Sequence, residues 1–259
     1  SANSALSLVN AVVSLVSGLL LVPLMLHGLG DVHFGLNALA GSIAGYVGLL
    51  DLGLNVTLTR VVAAHLERAS QARSEARSEA RSENRSENRS EDRAADLTTT
   101  ISSIFAFYLA LGLAGGLAVM VVGLPAVNPF QVAAPERSLF ALVIAIVGLQ
   151  TALTLPFSVW NSVLCGLQAL PTVYAISIVQ TVVRLALVWV MLHRGFGLLG
   201  LTVINFGTTA ITWVGGWWAV RRTHPELRLD LRRIDWRFLR SIWQVSVSMI
   251  VWSAAGYAL

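Results

Sequence analysis

The sequence predicts an all-α polytopic membrane protein with six spanning helices and the start of a seventh. Of its 259 residues 55% are hydrophobic and only 12% are charged, whereas a soluble domain carries about 25% charged residues. Most of these charges are concentrated in the segments 73–93 and 221–240, and the rest of the chain is strongly apolar, which gives a mean hydropathy of +0.69. This composition excludes a soluble enzyme and a disordered protein. Cys165 is the single cysteine, so a disulfide-rich secreted module is excluded as well.

The predicted spans are apolar runs long enough to cross a hydrocarbon core of about 30 Å at about 1.5 Å per residue. They lack the period-two alternation of strands, which favours helices. The six runs are 5–26, 34–59, 97–122, 139–164, 172–192 and 198–220. A seventh begins near Phe238 and is still apolar at Leu259. We therefore predict a six-helix region over 1–220, a cytoplasmic linker over 221–237 and the start of a second region over 238–259.

The arginines predict the orientation of these helices. Every basic residue is Arg, and fifteen of the 18 lie between the second and third spans or in the segment that leads into the seventh. Positive charge accumulates on the cytoplasmic side of membrane proteins, so both segments and the N-terminus are predicted to be cytoplasmic. The tryptophans at 217–218, directly before the arginines at 221–222, are typical of a membrane interface. The net charge of +4 is thereby explained without nucleic acid as a partner.

Residues 73–93 form a four-residue repeat, which reads RSEA twice, RSEN twice, RSED once and then Arg93. Residues i and i+4 are neighbours on a helix, so this period stacks Arg on Arg and Glu on Glu. Such stacking disfavours an isolated helix. We therefore expect a solvated cytoplasmic loop at 66–96, without a function of its own.

Two ionisable side chains lie within predicted spans, where a charge is costly and marks a functional site by default. Asp51 lies in the second span, roughly 12 Å from its cytoplasmic end, and Arg184 lies at a similar distance from the outer end of the fifth. A structural ion pair, or snorkelling to an interface, is the alternative interpretation. The amides in or near the spans are expected to form hydrogen bonds between helices. Gly41 and Gly45 have GxxxG spacing, and together with Gly116, Gly207 and Gly215 they predict close helix packing.

The sequence has no pattern typical of an enzyme or of a metal site. The five histidines lack metal-ligand spacing, and there is no nucleophile motif, no phosphate-binding glycine loop and no large extramembrane domain. We therefore expect no catalytic residue, no metal and no cofactor.

Several segments resemble polysaccharide (O-antigen) flippases of the Wzx type, within the multidrug/oligosaccharidyl-lipid/polysaccharide exporter superfamily. The longest is LHGLGDVHFGLNALAGSIAGYVGLLDLGLNVTLTR, from Leu26 to Arg60, which is similar to the family's LG…FG turn and its DLGL segment followed by Arg. VLCGLQ at 163–168 and GFGLLGL at 195–201 resemble the turns before the family's fifth and sixth helices. IDWRFLRSIWQVSVSM at 234–249 is similar to the beginning of its second half.

The resemblance implies one lobe, and the start of the next, of a two-lobe exporter that works by alternating access. It implies that an undecaprenyl-pyrophosphate-linked oligosaccharide is flipped across the bacterial cytoplasmic (inner) membrane for surface polysaccharide assembly. A polysaccharide polymerase and its chain-length machinery are then expected partners, besides the lipid bilayer. At about half the family's length, the chain is expected to be a fragment or a half-transporter that needs a second copy. The residues expected to bind substrate are Arg184, Gln180 and Asn205, and those expected to couple transport to an ion or to gate it are Asp51, Asn55 and Arg60.

Three alternatives remain at this point. A multidrug cation antiporter of the same superfamily would prefer acidic residues in the spans, yet 97–122 and 139–192 contain none. A non-transporting, truncated membrane scaffold is the second alternative. An intramembrane glycosyltransferase or polymerase would need a long, charged outer loop, whereas the longest one, 123–138, contains only Glu136 and Arg137.

Overall fold

A computed structural model describes residues 2–48, 55, 58–60, 62–64, 67, 71, 83–125 and 134–223. These parts of the chain are almost entirely helical. The helices are α1 (Ala2–Gly48), α2 (Glu83–Gly123), α3 (Ala134–Gly166), α4 (Leu170–His193) and α5 (Leu198–Thr223). Asp51, most of the second half of the predicted second span and the predicted seventh helix lie outside the described residues.

Five stretches within these helices are long and apolar enough to cross a membrane, namely Ser4–Gly45, Thr98–Gly123, Arg137–Gly166, Leu170–His193 and Leu198–Thr223. The last four agree with the third to sixth predicted spans to within a few residues. Large apolar side chains cover the outside of these helices; Leu15, Leu117 and Val214, for example, are each more than half exposed. This is the surface expected of an all-α, multi-pass membrane protein, because lipid tails are as apolar as leucine.

The first two predicted spans are joined in α1. Its apolar stretch of 42 residues is about 63 Å long if fully helical, roughly twice the hydrocarbon thickness. Gly30 interrupts the helix with φ 75° and ψ 168°, a conformation that glycine adopts without a steric cost. The interruption lies in the predicted turn between the two spans, so α1 consists of two helical segments, 2–29 and 31–48. The described residues thus contain five stretches that could cross a membrane, against six predicted spans.

The repeat differs from its prediction in its second half. Residues 83–96 were expected to belong to a cytoplasmic loop, but α2 begins at Glu83 and runs without a break into the third span. Starting a helix is costly, whereas each added residue costs little once a stable helix exists. The apolar span supplies that existing helix, so the unfavourable stacking of like charges does not end it.

The chain divides into two compact units. The first contains Ser1–Leu50, Leu109–Leu155 and Leu170–Gly216, and the second contains Asp51–Tyr108, Pro156–Ala169 and Trp217–Leu259. A hydrophobic core in the first unit joins both segments of α1 to the other helices. Its buried members are Leu21, Met25, Leu29, Leu36, Ala40, Val119, Phe140, Val143, Ile144, Val188, Met191, Leu198 and Leu201.

Close contact between α2 and α3 in the first unit depends on glycine. A Cβ atom on Gly116 would lie 2.5 Å from the carbonyl oxygen of Gly148 and 2.7 Å from the Cβ of Ala152. A Cβ on Gly148 would in turn lie 3.0 Å from the carbonyl oxygen of Gly116. The prediction of close packing is correct for Gly116. It is also correct for Gly215, where a Cβ would lie 3.3 Å from the side chain of Ile176, but wrong for Gly207, where a Cβ would meet no atom within 4 Å.

We predict that Gly116→Ala lowers the thermal unfolding temperature of the purified protein. The added methyl group meets backbone atoms, and relieving the overlap should cost about 1–3 kcal/mol. Gly207→Ala in α5 is the matched control, because a Cβ there meets no atom within 4 Å. The control should leave the unfolding temperature unchanged or raise it, since alanine favours helix by roughly 0.5–1 kcal/mol. Equal unfolding temperatures for the two variants would contradict this description of the α2–α3 contact.

Candidate functional site

A polar cavity of about 480 Å³ lies within the first unit. Its wall comes from the second segment of α1 and from α3, α4 and α5. The lining residues are Asn37, Ala40, Gly41, Ala44, Gly45, Val147, Gln150, Thr151, Thr154, Leu155, Gln180, Arg184, Thr202, Asn205, Thr208 and Thr209. Ten of these sixteen residues are polar, whereas the exterior of the unit is apolar.

The three residues predicted to bind substrate all line this cavity. Gln180 and Arg184 are separated by one turn of α4, and Asn205 lies on α5. Each helix contributes residues at helical spacing, such as 180 and 184, or 202, 205 and 209, because residues three or four apart share a face. The described lining contains one cation and no carboxylate. Its electrostatic character is therefore set by Arg184.

Arg184 has a hydrogen-bond donor without an acceptor. Its Nε atom is buried and has no hydrogen-bond partner, and the same is true of the Oδ1 atom of Asn205. A buried donor without an acceptor costs about 1–3 kcal/mol, and more for a charged group. Two residues that line the cavity, Arg184 on one helix and Asn205 on the next, thus each have a buried side-chain atom without a hydrogen-bond partner. An anionic group beside Arg184 would offset the free-energy cost of burying the guanidinium.

The threonines of the cavity present acceptors. Each hydroxyl donates its single hydrogen to a carbonyl oxygen one turn earlier in its own helix, with distances of 2.8 Å for Thr151, 2.7 Å for Thr154, 3.0 Å for Thr202, 2.8 Å for Thr208 and 2.7 Å for Thr209. A hydroxyl has one hydrogen and two lone pairs, so the oxygens can still accept. The prediction overlooked these threonines, although their spacing along the spans would have indicated one polar face per helix.

Gln150 joins two walls of the cavity. Its Nε2 donates to the Thr209 hydroxyl oxygen over 3.1 Å, which links α3 to α5. This is the structural role predicted for the amides within the spans. Such bonds between membrane helices contribute about 0.6–2 kcal/mol, enough to fix the distance between these two walls.

Gly41 and Gly45 do not have the predicted role. A Cβ on either would meet no atom within 4 Å, and both residues line the cavity. The GxxxG spacing gives one smooth helix face, as expected, but that face borders open space rather than a neighbouring helix. Here the small residues border the open volume of the cavity.

The residues predicted to couple transport to an ion are in the second unit. Asn55 Oδ1 accepts hydrogen bonds from the hydroxyl groups of Ser158, over 3.2 Å, and Ser162. Thr59 donates to the carbonyl oxygens of Asn55, over 2.8 Å, and of Ser162, over 3.3 Å. Arg60 is exposed, and Asp51 is outside the described residues. Asn55 therefore belongs to a hydrogen-bonded group that ties Asn55 and Thr59 to α3, and its coupling role remains a prediction.

Comparisons of this chain with protein-family models, with curated proteins and with solved structures give no match.

We predict that Arg184→Met raises the thermal unfolding temperature of the ligand-free protein. The substitution keeps much of the side-chain volume and removes a partly buried charge whose Nε is unpaired, which should stabilise the fold by about 1 kcal/mol. Arg194→Met, at an exposed arginine in the turn before α5, should leave the unfolding temperature unchanged. A lower unfolding temperature for Arg184→Met would mean that the guanidinium holds the helices together.

We predict that Ser162→Ala destabilises the protein, because it removes a donor to Asn55 Oδ1 from a buried serine. The free energy of unfolding should fall by about 1 kcal/mol. Ser42→Ala is the matched control, since the exposed Ser42 hydroxyl donates only to the carbonyl oxygen of Ala38 in its own helix. Denaturant titration in detergent compares the two. If the variants lose equal amounts, the Asn55 cluster contributes no stability between helices.

Proposed function

We propose that the protein is a membrane transporter that flips an undecaprenyl-pyrophosphate-linked oligosaccharide across the bacterial cytoplasmic membrane for surface polysaccharide assembly. The observation that carries this proposal is the buried, unpaired Nε of Arg184 in the wall of a polar cavity within the membrane-type helices. The resemblance to Wzx-type flippases, given by the segment from Leu26 to Arg60 and the two later turns, supports the same substrate.

The pyrophosphate is the part of this substrate whose transfer into hydrocarbon costs the most free energy. Moving an isolated ionised group from water into an apolar medium costs tens of kcal/mol in the limiting case. A guanidinium in a low-dielectric cavity offers charge and two parallel N–H donors to a phosphate. In this proposal Arg184 holds the pyrophosphate while the head group is out of water, and Gln180 and Asn205 contact the same part of the substrate.

The hydroxyl oxygens of the cavity threonines can accept hydrogen bonds from the sugar part of the substrate. Sugar hydroxyl groups are donors, and the oxygens of Thr151 and Thr154, which are not buried, can accept after donating to their own helix. The volume of about 480 Å³ is within the range of roughly 300–1,000 Å³ for sites that enclose a drug-sized ligand. We propose that the first sugars and the pyrophosphate occupy the cavity, while the polyprenyl chain stays in lipid.

A multidrug cation antiporter is less well supported by the same cavity. A cationic drug would meet Arg184 with no carboxylate in the described lining, and two like charges in a low-dielectric site repel each other strongly. For the coupling of transport we retain Asp51, Asn55 and Arg60 as proposed residues. We further propose a cytoplasmic N-terminus, from the distribution of arginines.

The proposal is tested in proteoliposomes that contain a fluorescent lipid-linked oligosaccharide, with a membrane-impermeant quencher reporting the leaflet that holds the label. We expect Arg184→Lys and Arg184→Ala to lower the flipping rate about tenfold or more, because a charge-assisted hydrogen bond contributes about 1.5–3 kcal/mol. Both variants must be inserted as well as wild type. Full flipping activity in both would overturn the role of Arg184.

A steric variant tests the cavity itself. Gly41→Leu should abolish flipping without unfolding the protein, because the new side chain points into open space that the substrate needs. Gly207→Leu is the matched control, since it also meets no atom within 4 Å but does not line the cavity. Flipping at the wild-type rate by Gly41→Leu would place the substrate path elsewhere in the protein.

A further inference from the structure

The last turns of α5 carry two arginine–tryptophan pairs. The guanidinium carbon of Arg221 lies 5.1 Å from the centre of the Trp217 ring, and that of Arg222 lies 4.9 Å from the centre of the Trp218 ring. Both distances are within the range of cation–π attraction. The two pairs are neighbours, because each arginine follows its tryptophan by four residues.

These pairs face away from the protein. Both arginines are exposed, and Trp218 is 54% exposed, whereas the following residues Ala219 and Val220 are buried at 6% and 1%. Ala219 and Val220 therefore mark the packed side of this end of the helix, and the two arginines and Trp218 lie on its exposed side.

The length of α5 puts this face at the level of lipid head groups. The helix begins at Leu198, directly after an exposed turn at 194–197. A hydrocarbon core of about 30 Å accommodates about 20 helical residues, so a span that starts at Leu198 leaves the hydrocarbon near Trp217. A tilt of about 20° changes this by only about one residue. Arg221 and Arg222 then lie about 6 Å further along the axis, where the phosphates of one leaflet are.

We propose that Trp217, Trp218, Arg221 and Arg222 form a binding site for the head group of an anionic phospholipid. A guanidinium stacked on a ring keeps its N–H edges free, and these edges match a phosphate bidentately. The indole rings fill the boundary between head group and acyl chain, which is where tryptophan partitions. Residues 217–223 contain no acidic side chain, so the two positive charges are not compensated within this segment.

An anionic lipid fits this site better than a zwitterionic one. Both have a phosphodiester, but a zwitterionic head group carries its own ammonium, which the two arginines repel. The net negative charge of a phosphatidylglycerol-type lipid is attracted instead, by an amount that corresponds to about a fivefold gain in affinity per arginine near the surface. The site belongs to the second unit and does not depend on the cavity or on the proposed transport.

The experiment titrates the purified, delipidated protein with short-chain phosphatidylglycerol and measures the shift in unfolding temperature, with phosphatidylcholine of the same chains as reference. We expect wild type to prefer phosphatidylglycerol, and Arg221→Gln/Arg222→Gln to bind it about 25-fold more weakly. Arg194→Gln, at the other end of α5, should bind as wild type does. Unchanged affinity in the double glutamine variant would overturn the site.

Two further experiments distinguish a specific lipid-binding site from general attraction between charges. Arg221→Lys/Arg222→Lys keeps both charges but lacks the planar group that stacks and binds bidentately, so we expect a loss of several fold. Wild-type affinity in this variant would overturn the proposal in favour of diffuse attraction. Inorganic phosphate in place of lipid should give no shift, and a shift as large as that from phosphatidylglycerol would overturn the assignment to a lipid.

Discussion

Polar groups inside membrane helices must find their hydrogen-bond partners within the protein, because hydrocarbon supplies none. In the described chain this requirement is met largely within each helix. Threonine and serine hydroxyls donate to the carbonyl oxygen one turn earlier, as Thr151 does to Val147 and Thr202 does to Leu198. The helices can therefore carry many polar residues without losing an apolar exterior. The buried side-chain atoms left without a partner in the described residues are Asn10 Oδ1, Arg184 Nε and Asn205 Oδ1.

Two of those atoms belong to residues that line the same cavity, and the proposed function rests on this coincidence. A soluble protein would hydrate such groups at little cost, but here each one lowers stability until a ligand or water reaches it. The glycines complement this arrangement in two ways. Gly116 lets α2 and α3 approach closely, whereas Gly41 leaves space open in the cavity that Arg184 also lines. Rigid packing and open volume thus occur in the same unit.

The sequence predicted the membrane class and four of the spans well, because composition and run length depend only on the thickness of the hydrocarbon. It also selected Gln180, Arg184 and Asn205, which the structure brings to one cavity. It did not predict that α2 extends back to Glu83, since charge stacking within the repeat says nothing about the helix that follows. Nor did it distinguish Gly41 from Gly116, because the same residue and spacing serve either a contact or a cavity. That difference depends on which helices meet, which is a property of the tertiary structure.

The central question about this protein is whether Arg184 holds the phosphate of a lipid-linked sugar. The most direct measurement is a cryo-electron microscopy structure of the protein with a bound undecaprenyl-pyrophosphate-linked oligosaccharide. We predict a phosphate oxygen within about 3 Å of a guanidinium nitrogen of Arg184, with the first sugar against the threonines of α3. A pyrophosphate bound away from this cavity, or a protein carboxylate paired with the guanidinium, would contradict it.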